Sequence, residues 1–309
     1  MSYCVMDIGG TFIKYADMDV DGKILSQDKI KTPLTSFDEF WSVMDRLIKK
    51  EHEGIAVSFP GPVDAQRGIV IEGGSLRYMK QFAFVEEMQK RYGIPCSLEN
   101  DARCAALAEV WQGNLKDIAI GMVVVFGTGI GSSLTINGEV FKGAHNFSGE
   151  ISCLITKDID TLGWGASFHH DAGVPFLLKK VKDAKQLKED IDGKALFTML
   201  ENQDENAWRI FKEYCGELAK QFYNMQCMFD PQRICIGGGI SLQPLFISEL
   251  KKAMDEFWAR IPVNVPKPEI MPCKFHNDSN LLGSLYNFLH KNKKRKNVQK
   301  INVKTRRNR

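Results

Sequence analysis

Short apolar runs of strand length alternate with longer stretches whose apolar residues recur at helical spacing, and the alternation starts at the first residues. Residues 3–7 and 12–19 read as two strands joined by a glycine turn, and Gly22 offers a hairpin turn toward residues 23–32. Residues 37–52 put Phe40, Val43, Met44, Leu47 and Ile48 on one side of a helix. Ser36 is its predicted N-cap, with Glu39 three places on as in a capping box. Residues 54–60 form a short buried strand that must change direction at Pro60-Gly61-Pro62. A helix over 82–93 closed by Gly93, a strand over 94–100 and a helix over 101–113 follow. Strands and helices in this order predict an α/β layer fold.

The second half partly repeats the first. An apolar strand over 118–127 runs into Thr128-Gly129-Ile130-Gly131, and Asn137-Gly138 marks a tight hairpin between alternating apolar residues. "DIGGTFIKYADMDVDGKIL" and "GTGIGSSLTINGEVFKG" are thus two versions of one device, which predicts two similarly built lobes with glycine turns facing across a cleft. Residues 170–230 read as mostly helical, with Met225, Met228 and Phe229 as a core stripe. A strand at 231–237 breaks on Gly237-Gly238-Gly239, with a helix after it. The final helix, 279–292, carries a small residue suited to close packing within "LLGSL". The five tryptophans fit helical packing, except Trp164, whose flanking glycines suit a residue lining a cleft.

Composition narrows the setting. The 309 residues are enough for two domains, 44% are hydrophobic, and no run approaches the roughly 20 apolar residues of a membrane span. Residues 1–3 lead straight into a strand without a basic leader region, so no signal peptide is expected. Eight cysteines are scattered with no C-x-x-C pair, which predicts reduced thiols in the cytoplasm. Ten Lys or Arg and no acid fall in residues 291–309, and taking those ten from the net +3 leaves −7 for the rest. That tail reads as a solvated, disordered terminus, not a nucleic-acid or membrane contact. The expected division is a lobe over 1–116, a lobe over 117–290 whose last helix can pack back on the first, and the basic tail.

The glycine turns carry the candidate chemistry. Glycines after a strand let backbone N–H groups converge on a phosphate, and a neighbouring carboxylate can hold Mg²⁺ through water. Asp7 is the metal-side acid of the first turn, Gly9, Gly10 and Thr11 its cradle, and Lys14 an added charge. Gly127-Thr128-Gly129 is the second turn, and Gly237-Gly238-Gly239 would let a flat adenosine pack against backbone. None fits a P-loop, and the second lacks the Rossmann spacing. In "SLENDARCAALAEVWQG" a strand ends on Glu99-Asn100-Asp101 where a helix begins. Asp101 is there either a general base for a hydroxyl attacking phosphorus or, with Asn100, merely a helix cap.

Together these motifs resemble the ROK family of sugar kinases, in the actin, hexokinase and Hsp70 superfamily. The likeness runs from Cys4 to about His290 through five ordered segments: "DIGGTFIKYADMD", "SFPGPVD", "ENDARCAALAE", "VVFGTGIGSSLTINGEVFKGAHNFSGE" and "ICIGGGIS". It implies a two-lobed, actin-like ATPase fold of ribonuclease H-like duplicated domains, and transfer of the ATP γ-phosphoryl group to a hexose or hexose derivative. Asp101 then resembles the catalytic base, and Asn100 and Glu150 the sugar-binding residues. Pro60, Gly61 and Gly74 fall in sugar-side segments, and Asp7, Gly9, Gly10, Thr11, Lys14, Thr128, Gly129, Gly237 and Gly238 on the ATP side. His145 either faces the sugar or is a surface-loop residue. A homodimer is implied by the resemblance alone. The chain departs from many members in lacking a Gly-His pair after Gly149-Glu150 and the cysteine-rich zinc motif, so no structural zinc is expected. The zinc-less members include kinases of glucose and of β-glucosides. Two other readings stand beside this one. A sugar-responsive repressor would need an N-terminal helix-turn-helix, for which there is no room before residue 4. A catalytically silent sensor has only the missing Gly-His pair in its favour.

Overall fold

A computed structural model of the chain describes residues 1–291. The basic tail from residue 292 lies outside the described residues. Two compact units are present: residues 1–111 together with 278–291, and Gln112–Asn277.

The first unit is built on a five-stranded sheet of β1 (Ser2–Ile8), β2 (Phe12–Met18), β3 (Ile24–Lys31), β4 (His52–Phe59) and β7 (Cys96–Asn100), with a small hairpin of β5 (Val63–Asp64) and β6 (Ile69–Val70). The sheet order is β3-β2-β1-β4-β7. The first three strands are an antiparallel meander, whereas β1, β4 and β7 run parallel. Helix α1 (Phe37–Leu47) starts as the sequence predicts: the Ser36 hydroxyl accepts from the Glu39 N–H at 3.3 Å. It ends earlier than its periodicity suggests, because His52 belongs to β4. The buried His52 ring accepts the Lys49 N–H at Nδ1 (3.0 Å) and therefore donates from Nε2 to Asp17 (2.9 Å), which turns residues 48–51 away from the helix. Helix α2 (Phe84–Tyr92) closes on Gly93, which takes the left-handed cap. Phe84 lies 6.0 Å, ring to ring, from both Phe40 and Phe59 in the core between α1, α2 and the sheet. Burying each such ring stabilises the fold by about 1.5–3 kcal/mol.

Helix α3 (Asp101–Gln112) is buried nearly all round, which fits its alanine-rich composition. A closing helix over 279–291, the last among the described residues (α10), packs directly on it. Gly283 sits so close to the Cys104 carbonyl that a Cβ would overlap it, which explains the small residue in "LLGSL".

The second unit repeats the plan. Strands β8 (Ile120–Phe126), β9 (Ile130–Ile136), β10 (Glu139–Val140), β11 (Arg233–Gly237) and β12 (Glu269–Pro272) form a sheet of order β10-β9-β8-β11-β12. Again a meander leads and two parallel strands follow. The internal echo therefore corresponds to a duplicated strand order. β12 was not expected: its proline-flanked four residues give little strand signal, and prolines are tolerated on an edge strand. Helices α4 (Ile159–Leu162), α5 (Phe168–Ala172), α6 (Val174–Ala184), α7 (Gly193–Glu201), α8 (Glu205–Phe229) and α9 (Pro244–Trp258) complete the unit. The expected Met stripe on α8 is only half right, since Met225 is buried and Met228 is exposed. Six of the eight cysteines are buried, Cys153 is half-buried, Cys227 is exposed, and all eight are free thiols.

Candidate active site

In the first unit the site grows from the carboxyl ends of the three parallel strands. The register sets Asp7 beside Ser58, Ser58 beside Glu99, and Phe59 beside Asn100. Asp7 Oδ1 accepts from Ser58 Oγ and from Asn280 Nδ2, each at 3.0 Å, and Lys14 stands directly across from it on β2. Burial pushes the Asp7 carboxyl above its ordinary pKa, offset in part by the two hydrogen bonds and by Lys14. The turn after β1 is pinned from behind. Gly9 N–H donates to Phe12 O (3.0 Å), Thr32 Oγ1 donates to Gly9 O (2.7 Å), and Thr32 N–H donates to Thr11 O (3.0 Å). A side chain on Gly10 would meet Ser75 Oγ at 2.7 Å, and Thr11 is exposed at the tip.

Asn100 organises the second cluster. Its Nδ2 donates to Gly61 O (3.1 Å) and to Asp101 Oδ1 (2.9 Å), while its Oδ1 accepts the Arg103 N–H (3.2 Å). Asn100 thus caps α3, and Asp101 Oδ1 is further held by the Ala102 N–H at 2.8 Å. Capping therefore falls to Asn100, whose amide also holds the Asp101 carboxylate. A Cβ at Gly74 would reach van der Waals contact with Pro60, so Pro60, Gly61, Gly74, Asn100 and Asp101 are near one another. Beneath them, Glu99 and Arg103 form an almost fully buried ion pair at 3.8 Å, one helical turn apart.

The second unit holds an apolar-walled cavity of about 490 Å³. Gly127 and Thr128, beyond β8, line one side, and Gly239 and Ile240, beyond the adjacent strand β11, line another. Val174, Pro175 and Leu178 of α6, and Gly193, Lys194 and Phe197 of α7, supply much of the remaining wall. Gly127 N–H donates to Gly129 O (2.9 Å), and the Val174 N–H donates to Gly127 O (3.2 Å), which fixes the turn to the start of α6. Gly238 has φ +87° and faces the Phe126 carbonyl so closely that any Cβ would overlap it. The His169 ring packs against Gly129, and burial, with the neighbouring His170, holds its pKa below the usual value. A cavity of this size and lining suits a nucleoside.

Glu150 is half-buried in the same unit. Ser132 Oγ donates to the Gly149 carbonyl and accepts the Ile151 N–H (3.3 Å), so β9 clamps the backbone on both sides of Glu150. His145 is exposed on the loop that precedes it. Sequence reasoning missed Ser58, Asn280, Thr32, Ser75 and His169. Ser58 left a signal, a hydroxyl inside an otherwise apolar strand, and Ser75 follows the expected Gly74 directly. Asn280, Thr32 and His169 reach the site from distant segments.

Two sheets of matching strand order, each ending on a glycine turn, define a two-lobed ATPase fold. The chain is similar to a ROK family protein from Streptococcus pneumoniae TIGR4 solved in complex with sucrose, with TM-score 0.87, 31% identity, and coverage of 95% of this chain and 100% of that one. It shares its fold with the ROK hexokinase from Thermus thermophilus, at TM-score 0.79 and 22% identity, covering 95% of this chain and 100% of that one. In sequence it is 30% identical to the β-glucoside kinase of Listeria monocytogenes over 293 residues, which span 94% of this chain and 98% of that relative. The ROK family's own sequence model matches residues 3–165 and 177–291. The chain belongs to the ROK family and is a carbohydrate kinase.

Proposed function

We propose that the chain transfers the γ-phosphoryl group of Mg-ATP to a hydroxyl of glucose or a β-glucoside, with Asp101 as the general base. The observation that carries this reading is the Asn100–Asp101 pair, a carboxylate oriented by a side-chain amide that also holds the Pro60-Gly61 turn. Asp101 takes the proton of the attacking hydroxyl as its oxygen bonds to phosphorus and the bond to ADP breaks. Asn100 and Glu150 orient the sugar. The cavity behind Thr128 and Gly239 takes the adenosine. Gly237 and Gly238, just before Gly239, lead the chain to it, and Gly9, Gly10, Thr11, Thr128 and Gly129 take the phosphates.

The residues around Asp7 fit a magnesium ion. Mg²⁺ prefers oxygen ligands and commonly uses one or two carboxylates with water and phosphate. Asp7 offers one carboxylate flanked by a neutral hydroxyl and a neutral amide, without a competing soft ligand among its hydrogen-bond partners. The ion would neutralise charge on the transferred phosphate.

A β-glucoside substrate is supported by the β-glucoside kinases among the relatives. Eight free thiols support a reducing, cytoplasmic setting. Among the described residues no helix is long and apolar enough to cross a membrane. A homodimer rests on the family resemblance, and sedimentation equilibrium tests it. The kinase reading is tested by coupled ADP release with Mg-ATP and a panel of glucose, mannose, N-acetylglucosamine, N-acetylmannosamine, methyl β-glucoside and cellobiose. One glucose-type sugar should stand well above background. ATP binding without turnover on any sugar would favour a silent sensor.

A further inference from the structure

Six of the fourteen large apolar side chains that are exposed among the described residues fall in one stretch: Phe141, Phe147, Ile155, Ile159, Leu162 and Trp164. That stretch brackets Glu150. Phe147 is the most exposed aromatic at 62%, and Trp164 follows at 56%. Both are tied to the backbone around Glu150 by short connections. The Glu150 N–H donates to Phe147 O at 3.4 Å. Trp164 sits at the bend of a small hairpin in which Ile155 bridges Ser167, Thr156 N–H donates to Ala166 O (2.8 Å), and Phe168 N–H donates to Leu154 O (2.7 Å). This pairing returns residues 166–168 to residues 154–156, just beyond Glu150, and Trp164 lies two positions before it, with its carbonyl accepting the Ser167 N–H at 3.1 Å.

Both rings are more than half exposed. Added side chains at Gly163 and Gly165 would meet nothing closer than 3.9 Å, so the backbone on either side of Trp164 is open. Among the described residues no ring or cation stacks on Trp164 or Phe147. Exposed aromatic surface next to a polar ligand residue marks a binding surface, because burying it is favourable only when a ligand arrives. A β-glucoside kinase must hold glucose by its hydroxyls and leave room for whatever is linked at the anomeric carbon. The clamped Glu150 serves the first need. The open aromatics beside it serve the second, since the C–H faces of a pyranose and the face of an aryl group both pack on an aromatic ring.

We propose that Phe147 and Trp164 form an aglycone subsite, which binds the apolar face of the sugar or aryl group β-linked to the glucose. It rests on the reading of Glu150 as a sugar-binding residue of a glucoside kinase. The subsite selects among β-glucosides by the size and flatness of the aglycone.

The test compares kcat/KM for glucose, methyl β-glucoside, cellobiose and phenyl β-glucoside in the wild type, Phe147→Ala, Trp164→Ala and the double variant. Both positions are exposed, so the variants should fold, and circular dichroism checks this. The ratio of phenyl β-glucoside to glucose should fall about tenfold or more in the double variant, through KM. A ratio that stays constant overturns the subsite and leaves the kinase reading intact. If the wild type phosphorylates no sugar, quenching of Trp164 fluorescence by phenyl β-glucoside, with Trp164→Phe as control, still decides: saturable quenching only with an aglycone supports the subsite, and its absence overturns it. A dimer that dissociates on Trp164→Ala, with an unchanged substrate ratio, overturns it in favour of a contact between copies.

Discussion

Asp7 shows how one residue can be held against its own ionisation. Its folded pKa is raised chiefly by burial, so the folded state binds the proton more tightly than the unfolded chain. Ionisation therefore lowers stability, and the loss develops as pH rises from the ordinary carboxylate value through the raised one. Asn in its place keeps an oxygen to accept from Ser58 and Asn280 without the charge. Asp7→Asn should raise Tm at pH 7, narrow the Tm difference between pH 4 and pH 7, and lower kcat/KM with Mg-ATP about 10²-fold or more. Calorimetry across that range and steady-state kinetics check both halves, and a lower Tm at pH 7 would contradict the account. If Asp7 holds Mg²⁺ as proposed, activity should fall on acidification at a higher pH than for an ordinary aspartate, because protons would compete with the ion. Titrating the Mg²⁺ dependence at several pH values measures that competition.

At the scale of elements, the glycine contacts are the sharpest constraints. Gly238 combines a positive φ with a backbone carbonyl where a Cβ would lie. Gly238→Ala should cost about 1–3 kcal/mol and weaken nucleotide binding, read by chemical denaturation and ATP titration. Gly283→Val should separate α10 from α3 and destabilise by a similar amount or more, seen as a lower denaturation midpoint. Ser36→Ala should cost only about 1 kcal/mol, since it removes one cap bond on an exposed helix end. These elements were legible because their cues are local: the capping serine, Gly93, Asn137-Gly138, and the glycines after β1, β8 and β11. Asn100 and Asp101 were legible as a strand end meeting a helix start, although the hydrogen bonds were needed to show that Asn100 is the cap. What escaped depends on distant segments. Asn280 reaches Asp7 across 273 positions, and His52 joins a strand because of Asp17, 35 positions earlier. The short strand Glu269–Pro272 gains its pairing from β11 rather than from its own composition.

For the whole molecule, the repeated strand order explains why similar glycine turns serve both units. In each, parallel strands end on backbone that can approach a phosphate, and the chain between them is free to specialise. The first unit adds Asp7, Asn100 and Asp101, and the second adds the nucleoside-sized cavity and Glu150. The central claim is phosphoryl transfer to a glucoside by way of Asp101. Phosphorus NMR of the protein with Mg-ATP and cellobiose, beside the Asp101→Asn variant, tests it most directly. The wild type should convert ATP to ADP with a new sugar-phosphate resonance. The variant should stay folded, bind ATP and slow that conversion by about 10²–10⁴-fold. Equal conversion by both proteins, or ADP accompanied only by inorganic phosphate, would contradict the account.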